Sequence, residues 1–83
     1  MENYYVYILI SLKDYKLYVG FSADIKKRLE YHNNGLNKST KNRRPLILIY
    51  FEACLNPKDA LHREKYLNQH MVNAISEIGL RNF

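Results

Sequence analysis

The sequence predicts an α+β fold in which helices flank a small three-stranded antiparallel sheet, with the element order β-β-α-β-α-α. Three observations favour this fold class. Two apolar, tyrosine-rich segments near the start are separated by a polar turn, which indicates a β-hairpin. A third apolar run follows a basic loop, and apolar residues recur at helical spacing on either side of these two features. At 83 residues the chain is expected to form a single domain, residues 1–83.

Residues 3–10 and 16–21 are expected to form the hairpin, because both segments are rich in Tyr, Val and Ile. Side chains alternate between the two faces of a strand, so Tyr18 and Gly20 should share one face of the second strand. A register that pairs Tyr7 with Tyr18 would bring two phenols together on a common face of the sheet.

The first helix is expected from about Ala23 to His32, with a serine or an aspartate such as Asp24 as its N-cap. Gly35, which follows two asparagines, is a typical stop signal. Within this helix Arg28 and His32 are four residues apart. They should therefore lie one turn apart on the same side of the helix and be able to contact one ligand.

Residues Asn37 to Arg44 are expected to form a basic loop, which Pro45 ends. The continuous apolar run from Leu46 to Phe51 predicts a strand that is covered on both faces. Asn56-Pro57 is a favourable helix start, because asparagine caps a helix and proline is tolerated in its first turn. This second helix should reach about Gln69. Apolar residues continue at helical spacing from Met71 to Ile78, so we expect a third helix that packs on the core.

The net charge of +5 is concentrated between residues 26 and 44, where seven cationic side chains are opposed only by Glu30. Such a segment favours a polyanionic partner, since counterion release rewards the neutralisation of phosphates. A membrane surface or an acidic protein would suit it less specifically. Besides Arg28, the candidate nucleic-acid-binding residues are Lys26, Lys27, Lys38, Lys41, Arg43 and Arg44.

The longest apolar stretch near the start, Tyr4 to Ile10, is too short to span a bilayer and lacks the flanks of a signal peptide. We therefore expect a cytoplasmic protein that does not associate with membranes. The single cysteine, Cys54, is consistent with a reducing compartment, and we interpret it as structural.

Glu64 is the most unusual residue of the second helix, because it falls within the apolar stripe formed by Ala60, Leu61 and Leu67. A buried carboxylate needs compensation from a metal ion, a basic side chain or backbone donors. A single carboxylate can hold Mg²⁺ when substrate and water supply the other ligands. A salt bridge to Arg28 or Arg63 is the structural alternative.

Phosphodiester hydrolysis needs a deprotonated water, neutralisation of the charge on the phosphate and help for the leaving oxygen. Tyr7 could accept the water proton if a nearby cation lowers the pKa of its phenol. Arg28 could bind the phosphate through its planar guanidinium, and His32 could donate to the phosphate or transfer a proton. Taken singly, each of these residues has an ordinary structural explanation, and the prediction depends on their combination.

The order Tyr5-Val6-Tyr7, Tyr18-Val19-Gly20, then Arg28, His32 and Glu64 resembles the GIY-YIG nuclease family, and especially its short standalone members of the UPF0213 type. The resemblance covers roughly residues 4–67. It differs from the family pattern at Tyr5, where the family has glycine, and at Phe21, where some members have a lysine.

This resemblance implies a metal-dependent DNA endonuclease, a phosphodiester hydrolase, that uses one Mg²⁺ or Mn²⁺ ion. Tyr7 would be the general base, Tyr18 would position the nucleophilic water, and Arg28 would stabilise the phosphate. His32 would assist the base or bind phosphate, and Glu64 would bind the metal. Any sequence specificity would come from a protein partner or from the shape of the substrate. RNA as substrate and the oligomeric state stay open.

Two other functions compete with the enzyme. The first is a nucleic-acid-binding module that keeps the scaffold but has lost catalysis, as the Phe21 departure would allow. The second is a protein-interaction domain whose basic face contacts an acidic partner. Metal-dependent DNA cleavage separates the enzyme from both.

Overall fold

The computed structural model describes the backbone of residues 3–82 and the side chains of residues 3–70. The elements are β1 (Tyr4–Ser11), β2 (Leu17–Ser22), α1 (Ile25–Asn33), a 3-10 turn (Lys41–Arg43), β3 (Leu46–Cys54) and α2 (Pro57–Asn82). The three strands form one antiparallel sheet in the order β2-β1-β3. The predicted α+β class and the order β-β-α-β-α are confirmed.

The sheet has one helix on each face, and period-two alternation along β1 supplies both faces with apolar side chains. Val6 and Ile8 face α2, where Ala60 and Leu67 complete a buried cluster. On the opposite face Tyr7 and Leu9 pack with residues of α1 and the start of β3. Alternate side chains of β1 therefore belong to two separate apolar clusters, one on each face of the sheet.

The register of the hairpin differs from the predicted one. Tyr7 lies opposite Gly20, and Tyr18 lies opposite Leu9, so the two phenols are diagonal neighbours and not a direct pair. Their rings still approach, with centroids 6.5 Å apart. The shift reflects the length of the turn, which contains Tyr15 at a positive φ of 57°.

The prediction that the third strand is covered on both faces is wrong, because many of its apolar side chains are exposed. The strand also lies at an edge of the sheet. Ile47 and Phe51 are 45% and 55% exposed. A register shift between Ile8 and Leu9 leaves Ile49 as an additional residue in β3, which breaks the alternation of the strand. The continuous apolar run therefore reflects a bulged edge strand and not a strand buried between two layers.

The predicted second and third helices are one continuous helix, α2, which runs from Pro57 to Asn82. Its start is confirmed, since the Asn56 side chain accepts a hydrogen bond from the backbone N–H of Asp59 at 2.9 Å. The predicted packing of the apolar residues from Met71 to Ile78 lies outside the described side chains. Among the described residues, no helix is long and apolar enough to cross a membrane.

Helix α1 begins and ends as its sequence predicts. The Asp24 side chain caps it by accepting from the backbone N–H of Lys27 at 3.1 Å. Gly35 follows the helix at a φ of 77°, a conformation that favours glycine. The amide of Asn33 then holds β3, because it both donates to the Leu46 carbonyl and accepts from the Leu46 N–H, at 3.0 and 2.9 Å.

Candidate active site

Tyr7 reaches across the neighbouring strand β2, and Gly20 makes this possible. A Cβ atom at Gly20 would lie 2.6 Å from the Tyr7 hydroxyl and 3.1 Å from the Tyr18 ring. The side chains of Tyr7 and Tyr18 fill the space above this glycine. The phenol is only 1% exposed, and it points across the edge strand β2.

His32 is fully buried and bonded through both of its ring nitrogens. Nε2 lies 2.9 Å from the Tyr7 hydroxyl, and Nδ1 lies 2.7 Å from Oγ1 of Thr40. Tyr18 packs edge-to-face on the imidazole, with centroids 4.9 Å apart. Burial, reinforced by the charge of Arg28, lowers the pKa of His32 to about 4. His32 is therefore neutral at neutral pH.

Sequence reasoning missed Thr40, which is fully buried at the start of the basic loop. Its position next to Ser39 in a polar segment gives no indication of burial. The contact with His32 joins this loop to α1, so the loop helps to orient the imidazole.

Arg28 lies beside Tyr7 and His32, where its charge affects the pKa of both groups. Its guanidinium carbon is 4.3 Å from the centroid of the Tyr31 ring, which holds the group by a cation–π contact. The buried Nε atom has no hydrogen-bond partner among the described residues. A buried, unpaired donor costs free energy, and the half-buried guanidinium that carries it is suited to an anionic ligand.

The pKa of Tyr7 is not lowered, contrary to the sequence-based hypothesis. Burial raises the pKa of the phenol to about 12, and the neighbouring Arg28 only partly opposes this effect. The charges of Tyr18 and Glu64 add to the increase. Deprotonation of Tyr7 therefore needs a proton acceptor or additional positive charge at the site.

Glu64 is half-buried on α2, and its charge contributes to the raised pKa of Tyr7. Burial raises the pKa of its carboxyl group, and the charge of Lys65 opposes the increase. The alternative of a salt bridge is not observed within the described part of the chain, where Arg63 pairs with Glu52. A partly buried carboxylate without such a partner fits a cation-binding role.

A cation at Glu64 would take most of its ligands from elsewhere. No cluster of three His, Cys, Asp or Glu side chains that could hold a metal occurs among the described residues. Magnesium is commonly bound in this way, with one or two carboxylates and the remaining positions filled by substrate oxygens and water. The donor set therefore fits a hard divalent ion and does not fit a fully protein-bound zinc site.

The basic residues predicted to bind nucleic acid have different environments. Lys26, Lys27, Lys38, Lys41 and Arg44 are exposed. Arg43 is instead held by Asp14, with Nε 2.8 Å from the carboxylate, and its charge is thereby neutralised. This pair joins the β1–β2 turn to the basic loop.

Comparison with known proteins agrees with the geometry. The model of the GIY-YIG catalytic domain matches residues 3–73. A UPF0213 protein of Staphylococcus saprophyticus is 42% identical over 82 residues, which cover 93% of this chain and 99% of the relative. A UPF0213 protein of Clostridium perfringens is 44% identical over 66 residues, covering 78% and 70%, and one of Staphylococcus haemolyticus is 40% identical over 65, covering 77% and 78%.

No solved structure matches the chain. The domain model, however, spans β1, β2, α1 and β3 completely, together with most of the described part of α2. Members of this family are nucleases that generally use a divalent metal and act on nucleic acid. Because both the domain model and near-full-length relatives match, the chain belongs to the GIY-YIG nuclease family.

Proposed function

We propose that this protein is a metal-dependent DNA endonuclease that hydrolyses phosphodiester bonds. One observation carries the proposal: the buried Nε of Arg28 lacks a partner next to the hydrogen-bonded pair Tyr7–His32. A phosphodiester anion would give the half-buried guanidinium an acceptor, and a guanidinium suits a phosphate because it donates in a planar, bidentate manner.

The proposed proton path runs from the attacking water through Tyr7 to His32. When Nδ1 of His32 donates to Thr40, Nε2 is left as an acceptor for the Tyr7 hydroxyl. Tyr7 can then give up its proton as it takes one from water. Tyr18 packs on the imidazole and would position the water at the edge of the sheet.

Substrate binding should strengthen this path. The positive charge of Arg28 is one cause of the low pKa of His32. An anionic phosphate on Arg28 offsets that charge and so makes His32 a better proton acceptor. Glu64 would hold the divalent ion, which when bound supplies positive charge at the phosphate. Exposed lysines on α1 and in the basic loop would bind the flanking backbone.

Nicking of supercoiled plasmid tests the proposal. We expect conversion to the open-circular form with Mg²⁺ or Mn²⁺ and none with chelator. Glu64→Gln should remove detectable nicking, and Tyr7→Phe should slow it by about 10²–10⁴-fold, the usual contribution of a general base. Tyr5→Phe is the matched control, because Tyr5 lies on the same strand but packs against Phe51, with ring centroids 6.1 Å apart.

One observation favours the alternative, a binding module without catalysis: the pKa of Tyr7 is raised, whereas a general base benefits from a lowered one. Salt-sensitive DNA binding without nicking under either metal would select the binding module. Nicking that persists in both Tyr7→Phe and Glu64→Gln would refute the assigned roles.

A further inference from the structure

A basic cleft lies between the β1–β2 turn and the basic loop. Its volume is about 580 Å³, and it is lined by Lys13, Asn33, Lys41, Asn42, Arg44 and Pro45. Three of these residues are cationic, and none of the described lining residues is acidic. The nearest carboxylate along the chain, Asp14, already pairs with Arg43.

The two sides of this cleft are fastened to each other. Lys13 belongs to the β1–β2 turn, whereas Lys41 and Arg44 belong to the basic loop. The buried Ser11 hydroxyl donates to the Arg43 carbonyl at 2.6 Å, and the Leu12 N–H donates to the Pro45 carbonyl at 2.9 Å. The cations are therefore brought together by the fold and not by a chance approach of flexible side chains.

The side chain of Arg44, which forms one wall of the cleft, is also held in place. Its Nε donates to the Lys41 carbonyl at 2.8 Å, and its guanidinium lies above Gly35, where a Cβ would approach within 2.9 Å. These contacts fix the plane of the guanidinium. A group held in this way loses little conformational freedom when it binds an anion.

The cleft and the candidate active site share the end of α1 and the segment that joins α1 to β3. Asn33 follows His32 at the end of α1, but its side chain is turned toward Leu46 and the cleft. The basic loop contacts His32 through Thr40 and lines the cleft through the next residue, Lys41. A ligand in the cleft would thus hold the same loop that orients the imidazole.

We propose that this cleft is a second phosphodiester subsite, which binds a backbone phosphate of the DNA strand beside the scissile phosphate. This inference deepens the proposed function, since it takes DNA as the ligand. Lys13, which the charge pattern did not indicate, joins the predicted binding surface. Arg43 leaves that surface, because its charge is already paired with Asp14. Three converging cations without a carboxylate favour a phosphate chain over a carboxylate ligand.

DNA binding without cleavage tests the subsite. All variants carry Glu64→Gln and are measured with chelator, by fluorescence anisotropy of a labelled duplex between about 50 and 200 mM salt. Lys13→Gln and Lys41→Gln should each reduce the slope of log K against log salt by about 1, as expected for the loss of one phosphate contact. Lys13→Arg should restore the slope.

Lys58→Gln is the matched control, because Lys58 carries the same charge but follows β3, whereas Lys13 lies in the turn at the other end of the sheet. Its slope should equal that of the parent. If Lys13→Gln and Lys58→Gln change the slope equally, the subsite is refuted and only a general effect of net charge remains. Since the assay has no cleavage step, a chain that shows these slopes but never nicks DNA would refute the proposed enzyme and leave the subsite standing.

Discussion

Acidification should destabilise this protein through His32. The pKa of His32 is lowered from 6.5 to about 4 by burial and by the charge of Arg28. The folded protein therefore binds fewer protons than the unfolded chain between these two values. As a result the free energy of unfolding falls as the pH falls through this window, and the loss levels off below about pH 4.

The expected size of this effect follows from the two pKa values. Linkage gives a loss of roughly 2.5 kcal/mol between pH 7 and pH 4.5 for a histidine with this displacement. This is a large share of the stability of a small domain, which is typically about 5–15 kcal/mol. Because the His32 side chain is fully buried, solvent screening does not substantially reduce this loss of unfolding free energy.

Urea unfolding followed by circular dichroism at several pH values can isolate this contribution. The difference in unfolding free energy between wild type and His32→Gln should shrink by roughly 2.5 kcal/mol as the pH falls from 7 to 4.5. Acid titration of Asp14 and Glu52, whose pKa values are lowered, affects both proteins and cancels in the difference. His62→Gln, which removes an exposed histidine, is the control and should keep the wild-type profile. A difference for His32→Gln that does not change with pH would refute the reasoning.

Three further substitutions test the site. Gly20→Ala should displace the Tyr7 hydroxyl, since the new Cβ would lie 2.6 Å from it. We expect nicking to fall at least tenfold and the free energy of unfolding in urea to fall by about 1–3 kcal/mol. Full activity would contradict the placement of Tyr7. Thr40→Val should lower nicking and shift its pH profile through loss of the bond to His32, whereas Thr40→Ser should retain both. Asn33→Ala should cost about 1–3 kcal/mol by leaving backbone groups of β3 unpaired, and unchanged thermal stability would refute that role.

The strands and α1 could be predicted because their signals are local. Alternation along β1, the Asp24 cap and the Gly35 stop each depend on a few neighbouring residues, and the structure bears them out. The hairpin register could not be predicted, because it depends on the conformation of the turn, including the positive φ of Tyr15.

The exposure of β3 and its place at an edge of the sheet could not be predicted, for a related reason. A continuous apolar run indicates a strand covered on both sides when the strand alternates regularly. In β3 the register shift at Ile49 changes which face the following residues occupy, and the strand lies at an edge. Whether a strand is central or at an edge depends on the order of the strands in the sheet, which is a property of the whole fold.

The spacing of the candidate residues along α1 could be predicted, but their charge states could not. Spacing on α1 placed Arg28 and His32 one turn apart, whereas the depth of the Tyr7–His32 pair follows from the packing of α1 on the sheet. That depth reverses the expected pKa of Tyr7 and keeps His32 neutral. Both burial effects oppose the charged forms that proton transfer would create. Tyr7 and His32 are therefore poor acid–base groups in the free protein. In the proposed mechanism, the phosphate bound to Arg28 would have to make proton transfer favourable.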